Sequence, residues 1–119
     1  MELIKLSEQM QVLIKDLGSL RRMLRQSGIS KAEALAEYDK SIAKTIIQLK
    51  NGVKFTLEGQ EIVNPPTTIT EKIAKGICWH EKLKADEKET LYKSLIANIE
   101  VIKAQLNALQ SINRNLDSN

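Results

Sequence analysis

Apolar residues at Leu3, Leu6, Met10, Leu13, Leu17, Leu20 and Leu24 are separated alternately by three and four positions. That spacing is the a/d seam of a coiled coil, because a 3.5-residue repeat keeps one stripe of an α-helix turned toward a neighbour. Ile4, Ile14 and Met23 widen the stripe. The same alternation returns at Tyr92, Leu95, Ile99, Ile102, Leu106, Leu109, Asn113 and Leu116. Two separated stretches therefore predict helices that need a partner to cover them.

Composition agrees with a mainly α protein. Hydrophobic residues make up 42% of the 119, but the aromatic ones are only Tyr38, Phe55, Trp79 and Tyr92. Leu, Ile and Ala suit helix-on-helix packing. With Gly and Pro at 5 and 2, tight turns must be few. Gly18 weakens the first helix by about 1 kcal/mol relative to Ala. The helix is expected to stop near Gln26, Ser27 and Gly28, and Ser30 with Glu33 reads as a capping box opening the next one. Leu35, Tyr38, Ile42, Ile46 and Leu49 form its apolar face, and Asn51-Gly52 supplies a left-handed stop. So short a connection predicts an antiparallel helical hairpin over residues 1–52.

The period then becomes two. Val53, Phe55 and Leu57 point one way, Lys54 and Thr56 the other, and Glu58-Gly59-Gln60 is a turn before Ile62 and Val63. A short β-hairpin over 53–64 follows, too small to stand without the helices or a second subunit. After Pro65-Pro66, Thr68 and Glu71 read as a second capping box for a short helix, 68–76. A long coiled-coil-like helix over 77–116 completes a single all-α (mainly) domain. Uninterrupted, that helix is roughly 60 Å long, and it predicts self-association through its seam. Asn113, a polar seam residue, either sets register and copy number or frays into water.

Little in the chain is suited to catalysis. Cys78 and His80 lack the further Cys or His that a zinc site needs, so no metal, cofactor or catalytic residue is assigned. The carboxylates Glu81, Asp86, Glu87 and Glu89 interleave with Lys82, Lys84 and Lys88 as a solvated, ion-paired face. A charge-broken start at residues 1–10 and the lack of a roughly 20-residue apolar run predict a cytoplasmic chain with no membrane partner.

Net charge is +3, and the whole excess lies in residues 1–52, with nine Lys/Arg against six Asp/Glu. Lys15, Arg21, Arg22, Arg25 and Lys31, continued by Lys40, Lys44, Lys50 and Lys54, are the candidate nucleic-acid-binding residues. Repeated over several copies they would form a basic track for phosphate backbones, without sequence preference. The competing account is that the arginines complement the first helix's C-terminal dipole and keep the chain soluble.

Residues 37–40 (Glu-Tyr-Asp-Lys) through 49–52 (Leu-Lys-Asn-Gly) come first, then an interruption and a short helix ending at Gly76. Residues 91–93 (Leu-Tyr-Lys) through 108–114 (Ala-Leu-Gln-Ser-Ile-Asn-Arg) follow. This order resembles small bacteriophage-encoded proteins, and its layout is similar to the UvsY recombination mediators of T-even-like phages. The resemblance, over about residues 37–116, implies an oligomeric helical scaffold that binds single-stranded DNA and a recombinase in the bacterial host cell. It carries over no individual residue. The alternative class is a helical protein–protein adaptor, a phage structural component or an inhibitor of a host protein, with no nucleic acid involved.

Overall fold

The computed structural model describes residues 3–117. The elements are α1 (Leu3–Lys50), β1 (Phe55–Leu57), β2 (Gln60–Ile62), a 3-10 turn (Thr67–Ile69), α2 (Thr70–Ile77) and α3 (Trp79–Asp117). The protein is mainly α, with a small antiparallel sheet and a short helix between two long ones.

The predicted break near Gly28 does not occur: α1 is a single helix of 48 residues, so there is no N-terminal helical hairpin. The reason lies in the seam. Buried and half-buried positions run Leu6, Met10, Leu13, Leu17, Leu20, Leu24, Ser27, Lys31, Ala34, Tyr38, Ser41, Thr45 and Leu49, keeping the three-four rhythm until the final step. Between Leu24 and Tyr38 the seam is occupied by small or polar residues, which conceals the period. Continuing the helix also avoids the unsatisfied backbone groups that two new ends would create. Ser30 and Glu33 therefore form no capping box. The seam keeps its phase through Ala34, and Leu35, which belongs to the phase restarted at Ser30, stays exposed.

At the far end, Asn51-Gly52 is the expected stop. Gly52 has φ +80°, its N–H donates to the Leu49 carbonyl at 3.2 Å, and the Val53 N–H donates to the Gln48 carbonyl at 3.0 Å. This pair of bonds closes a Schellman motif. Phe55 pairs with Ile62 and Leu57 with Gln60 in the sheet. The turn is Glu58-Gly59, both at positive φ, as a two-residue hairpin loop needs. The hairpin leans on α2, where a Cβ at Gly76 would lie 3.5 Å from Leu57 Cδ2.

The second capping box is also absent. Ile69 is the residue before α2 and makes no side-chain cap, while the Thr70 hydroxyl donates to the Pro66 carbonyl at 3.1 Å. Only Cys78 separates α2 from α3, and the i to i−4 bonds Cys78 to Ala74 and Lys82 to Cys78 carry on across it.

The chain divides into two compact units. Unit 1 joins α1 up to Gly28 with α3 from Thr90; unit 2 spans Ile29–Glu89. In unit 1 the helix segments are antiparallel: Val12 and Leu13 share a groove with Ala108 and Leu109, Leu20 shares one with Val101 and Ile102, and Gly28 meets Tyr92. Among its described residues, the buried apolar ones are Leu6, Leu95 and Ile99. In unit 2, Ala34, Leu49, Ala74, Cys78 and Ala85 are buried, and Thr45 Oγ1 lies 3.4 Å from Cys78 Sγ.

Gly18 and Gly28 are both helical, yet only one is needed for packing. A Cβ at Gly28 would sit 3.3 Å from Tyr92 Cε2, whereas at Gly18 the nearest atom is Arg22 Nη1 at 3.8 Å. Gly18→Ala is therefore expected to stabilise the chain by about 1 kcal/mol, read from the midpoint of urea unfolding. A lower midpoint would mean that Gly18 has a packing role.

Candidate nucleic-acid interface

The seam proposed for self-association is used within the chain. Tyr92, Leu95, Ile99, Ile102, Leu106, Leu109 and Asn113 are buried or half-buried in a single copy, and only Leu116 is exposed. In unit 1 the Tyr92 ring covers Gly28, and Ile102 and Leu109 share grooves with α1. Within one copy these residues pair α3 with α1. The same three-four alternation serves either purpose, because it states only that a partner helix exists.

The nine candidate basic residues fall in two groups. Lys15, Arg21, Arg22 and Arg25 belong to unit 1; Lys31, Lys40, Lys44, Lys50 and Lys54 belong to unit 2. Unit 1 holds eight Lys/Arg against five Asp/Glu, and unit 2 holds ten against ten, so the net +3 resides in unit 1. Within unit 2, Lys31 is half-buried in the seam of α1, and Lys54 Nζ pairs with Glu61 Oε1 at 2.9 Å. The unit contains other ion pairs as well, Lys75 with Glu71 at 3.4 Å and Lys82 with Asp86 at 3.0 Å. The Asp86 carboxylate, through that hydrogen bond and its charge, holds the Lys82 ammonium above its usual range.

The group in unit 1 is different. Lys15, Arg21, Arg22 and Arg25 are all exposed, and no ion pair among the described residues involves them. At 100° per residue the four cations span an arc of roughly 120° on α1, centred on Gly18 and turned away from the Leu13/Leu17/Leu20/Leu24 seam. Arg22 Nη2 donates to Ser19 Oγ at 3.1 Å, which holds one guanidinium along the helix surface. Arg21 and Arg25 are four apart and Arg22 and Arg25 three apart, so the like charges cost the free helix about 0.2–0.5 kcal/mol per pair. An anion laid along the arc would relieve that repulsion. Because α1 continues to Lys50, these arginines sit in mid-helix. The dipole of a helix end therefore cannot account for them, since it acts only within the last turn.

Cys78 is buried, while His80 is exposed and stacks on Trp79 with ring centroids 3.8 Å apart. No group of three or more His, Cys, Asp or Glu among the described residues is placed to hold a metal ion. Sequence reasoning missed Ser27. Its hydroxyl is buried at 6% exposure in the α1 seam and has no hydrogen-bond partner among the described residues, an arrangement that costs about 1–3 kcal/mol. The signal that could have found it was the three-four count carried on past Leu24.

No family model matches the sequence, and no curated protein or solved structure shows a match to it.

Proposed function

We propose that the chain is a phage or prophage accessory protein of DNA recombination. It acts in the bacterial cytoplasm as a self-associating scaffold that binds single-stranded DNA and a recombinase; it binds and carries out no catalysis. The observation that supports this most is the cation arc of unit 1. Lys15, Arg21, Arg22 and Arg25 are exposed in mid-helix, without carboxylate partners among the described residues, in the unit that carries the net positive charge. Exposed cations in a row bind a phosphate backbone by releasing its counterions, with no need to recognise bases. The resemblance in element order to the UvsY mediators supplies the recombination setting. No described helix is long and apolar enough to cross a membrane, so the proposal includes no membrane partner.

The arc provides a mechanism of holding. A strand lying on it is bound through phosphates, leaving its bases available to a recombinase brought alongside. A second function, a helical protein–protein adaptor, phage structural component or inhibitor of a host protein that never meets nucleic acid, is favoured by the apolar side chains left exposed on both long helices.

Fluorescence anisotropy with a labelled single-stranded oligonucleotide separates the two. The recombination proposal expects binding at about 50 mM salt that weakens by more than tenfold at about 200 mM. Absence of binding at the lower salt, from protein with a helical spectrum, would favour the adaptor.

A further inference from the structure

Six residues lining one concavity of unit 1 recur, seven positions along, in a second. Gln9, Val12, Leu13, Gln105, Ala108 and Leu109, with Lys5 and Glu8, line the first, of about 710 Å³. Asp16, Ser19, Leu20, Asn98, Val101 and Ile102 line the second, of about 400 Å³. On α1 each residue of the second follows its counterpart by one heptad; on α3, which runs the other way, each precedes it by one heptad. The two concavities are therefore one groove with a seven-residue repeat. A groove of that period is the imprint of a further helix, whose side chains recur at the same interval.

We infer that this groove is where a second copy of the chain docks, the helix pair of unit 1 packing against its own counterpart as a four-helix interface. This specifies the self-association part of the proposed function and does not depend on DNA binding. Area is the first argument. The chain exposes 8636 Å², whereas a folded monomer of 13.4 kDa exposes about 6,500 Å². That surplus belongs to the whole chain, and unit 1 contributes to it through exposed apolar side chains. Among the described residues, eighteen large apolar side chains are exposed, including Val12 and Val101 in the groove walls. Met23, Leu91 and Ile112 continue the same heptad rows and are also exposed.

Charge is the second argument. The groove residues include one cation, Lys5, and two anions, Glu8 and Asp16, among neutral side chains. A copy meeting a copy there encounters little repulsion, and a polyanion finds no row of cations. On α1 the groove rows are centred roughly 150° from the Lys15/Arg21/Arg22/Arg25 arc. The arc thus points away from the middle of the groove and meets it only at its edge, where Arg22 reaches Ser19. The two features divide α1 into a face for its own kind and a face for an anion.

The test is mass by light scattering on the full chain at about 100 µM and 0.15 M salt, with no oligonucleotide present. Val12 and Val101 are 57% and 55% exposed in one copy, so Val12→Glu and Val101→Glu should keep the helical spectrum. Wild type is expected as a dimer or a higher even oligomer, and the Val12→Glu/Val101→Glu double variant as a monomer. Ile14→Glu, at a comparably exposed position on the arc side of the helix, should associate like wild type. A monomeric wild type overturns the inference, as does a double variant that still associates. Dissociation caused by Ile14→Glu and not by the groove variants would place the contact on the other face. Loss of DNA binding leaves each of these readouts unchanged.

Discussion

Ile99→Asp is expected to abolish the cooperative thermal transition of the chain. Ile99 is 8% exposed and sits in the α3 seam of unit 1, between Leu95 and Ile102, facing the stretch of α1 that contains Leu20. Losing the buried side chain costs about 2–5 kcal/mol. Placing an unpaired carboxylate there costs several kcal/mol more, unless it takes up a proton. A domain of this size has only about 5–15 kcal/mol in total. Reserve is small, since the buried apolar residues among those described in unit 1 are Leu6, Leu95 and Ile99. The control is Ile96→Asp, three residues earlier at 40% exposure, expected to cost no more than about 1 kcal/mol. Circular dichroism melts at two protein concentrations decide the matter. If Ile99→Asp melts like wild type and loses only its oligomer, the α3 seam belongs to a second copy and the intrachain pairing is wrong.

The second large effect concerns binding. Arg21→Glu/Arg22→Glu/Arg25→Glu is expected to weaken affinity for single-stranded DNA by roughly 100-fold at about 50 mM salt. It should also lower the slope of log affinity against log salt by about 2, close to 0.7 per phosphate contact removed. The fold should tolerate the change, because all three side chains are exposed and Arg and Glu have similar helix propensity. Lys54→Glu is the matched control. Its ammonium already pairs with Glu61 and it lies in the neutral unit, so affinity should stay within about twofold. Equal losses from the two variants would mean that charge acts without regard to place, and the arc would lose its claim to be a site.

Much of the architecture was legible because it follows from local rules. The Asn51-Gly52 stop, the switch to period two at Val53 and the turn at Glu58-Gly59 each involve only a few neighbouring residues. The stop at Gly28 could not be judged in this way. Whether a glycine ends a helix or admits a neighbour depends on what approaches it, and here that is Tyr92, 64 positions away in the sequence. The α3 seam was legible as a seam but not as to its owner, since an a/d repeat carries no label for the partner helix. The cation arc was legible as a cluster. Its separation from Lys40, Lys44, Lys50 and Lys54 was not, because it follows from which parts of the chain fold together.

The pairing in unit 1 also sets the order in which the chain can acquire its structure. Gly28 and Thr90 bound an interval of 61 residues, 29 to 89, all belonging to unit 2. At about 5–20 residues per second of synthesis, roughly 3–12 s pass before the partner of the Leu6-to-Leu24 stripe begins to be made. During that time an amphipathic helix segment is present with its leucines uncovered. Unit 2, contiguous in sequence, has all its residues first. Unit 1 is assembled last, from the two segments that flank unit 2, and a nascent chain halted before Thr90 would present the uncovered stripe to whatever apolar surface lies nearby.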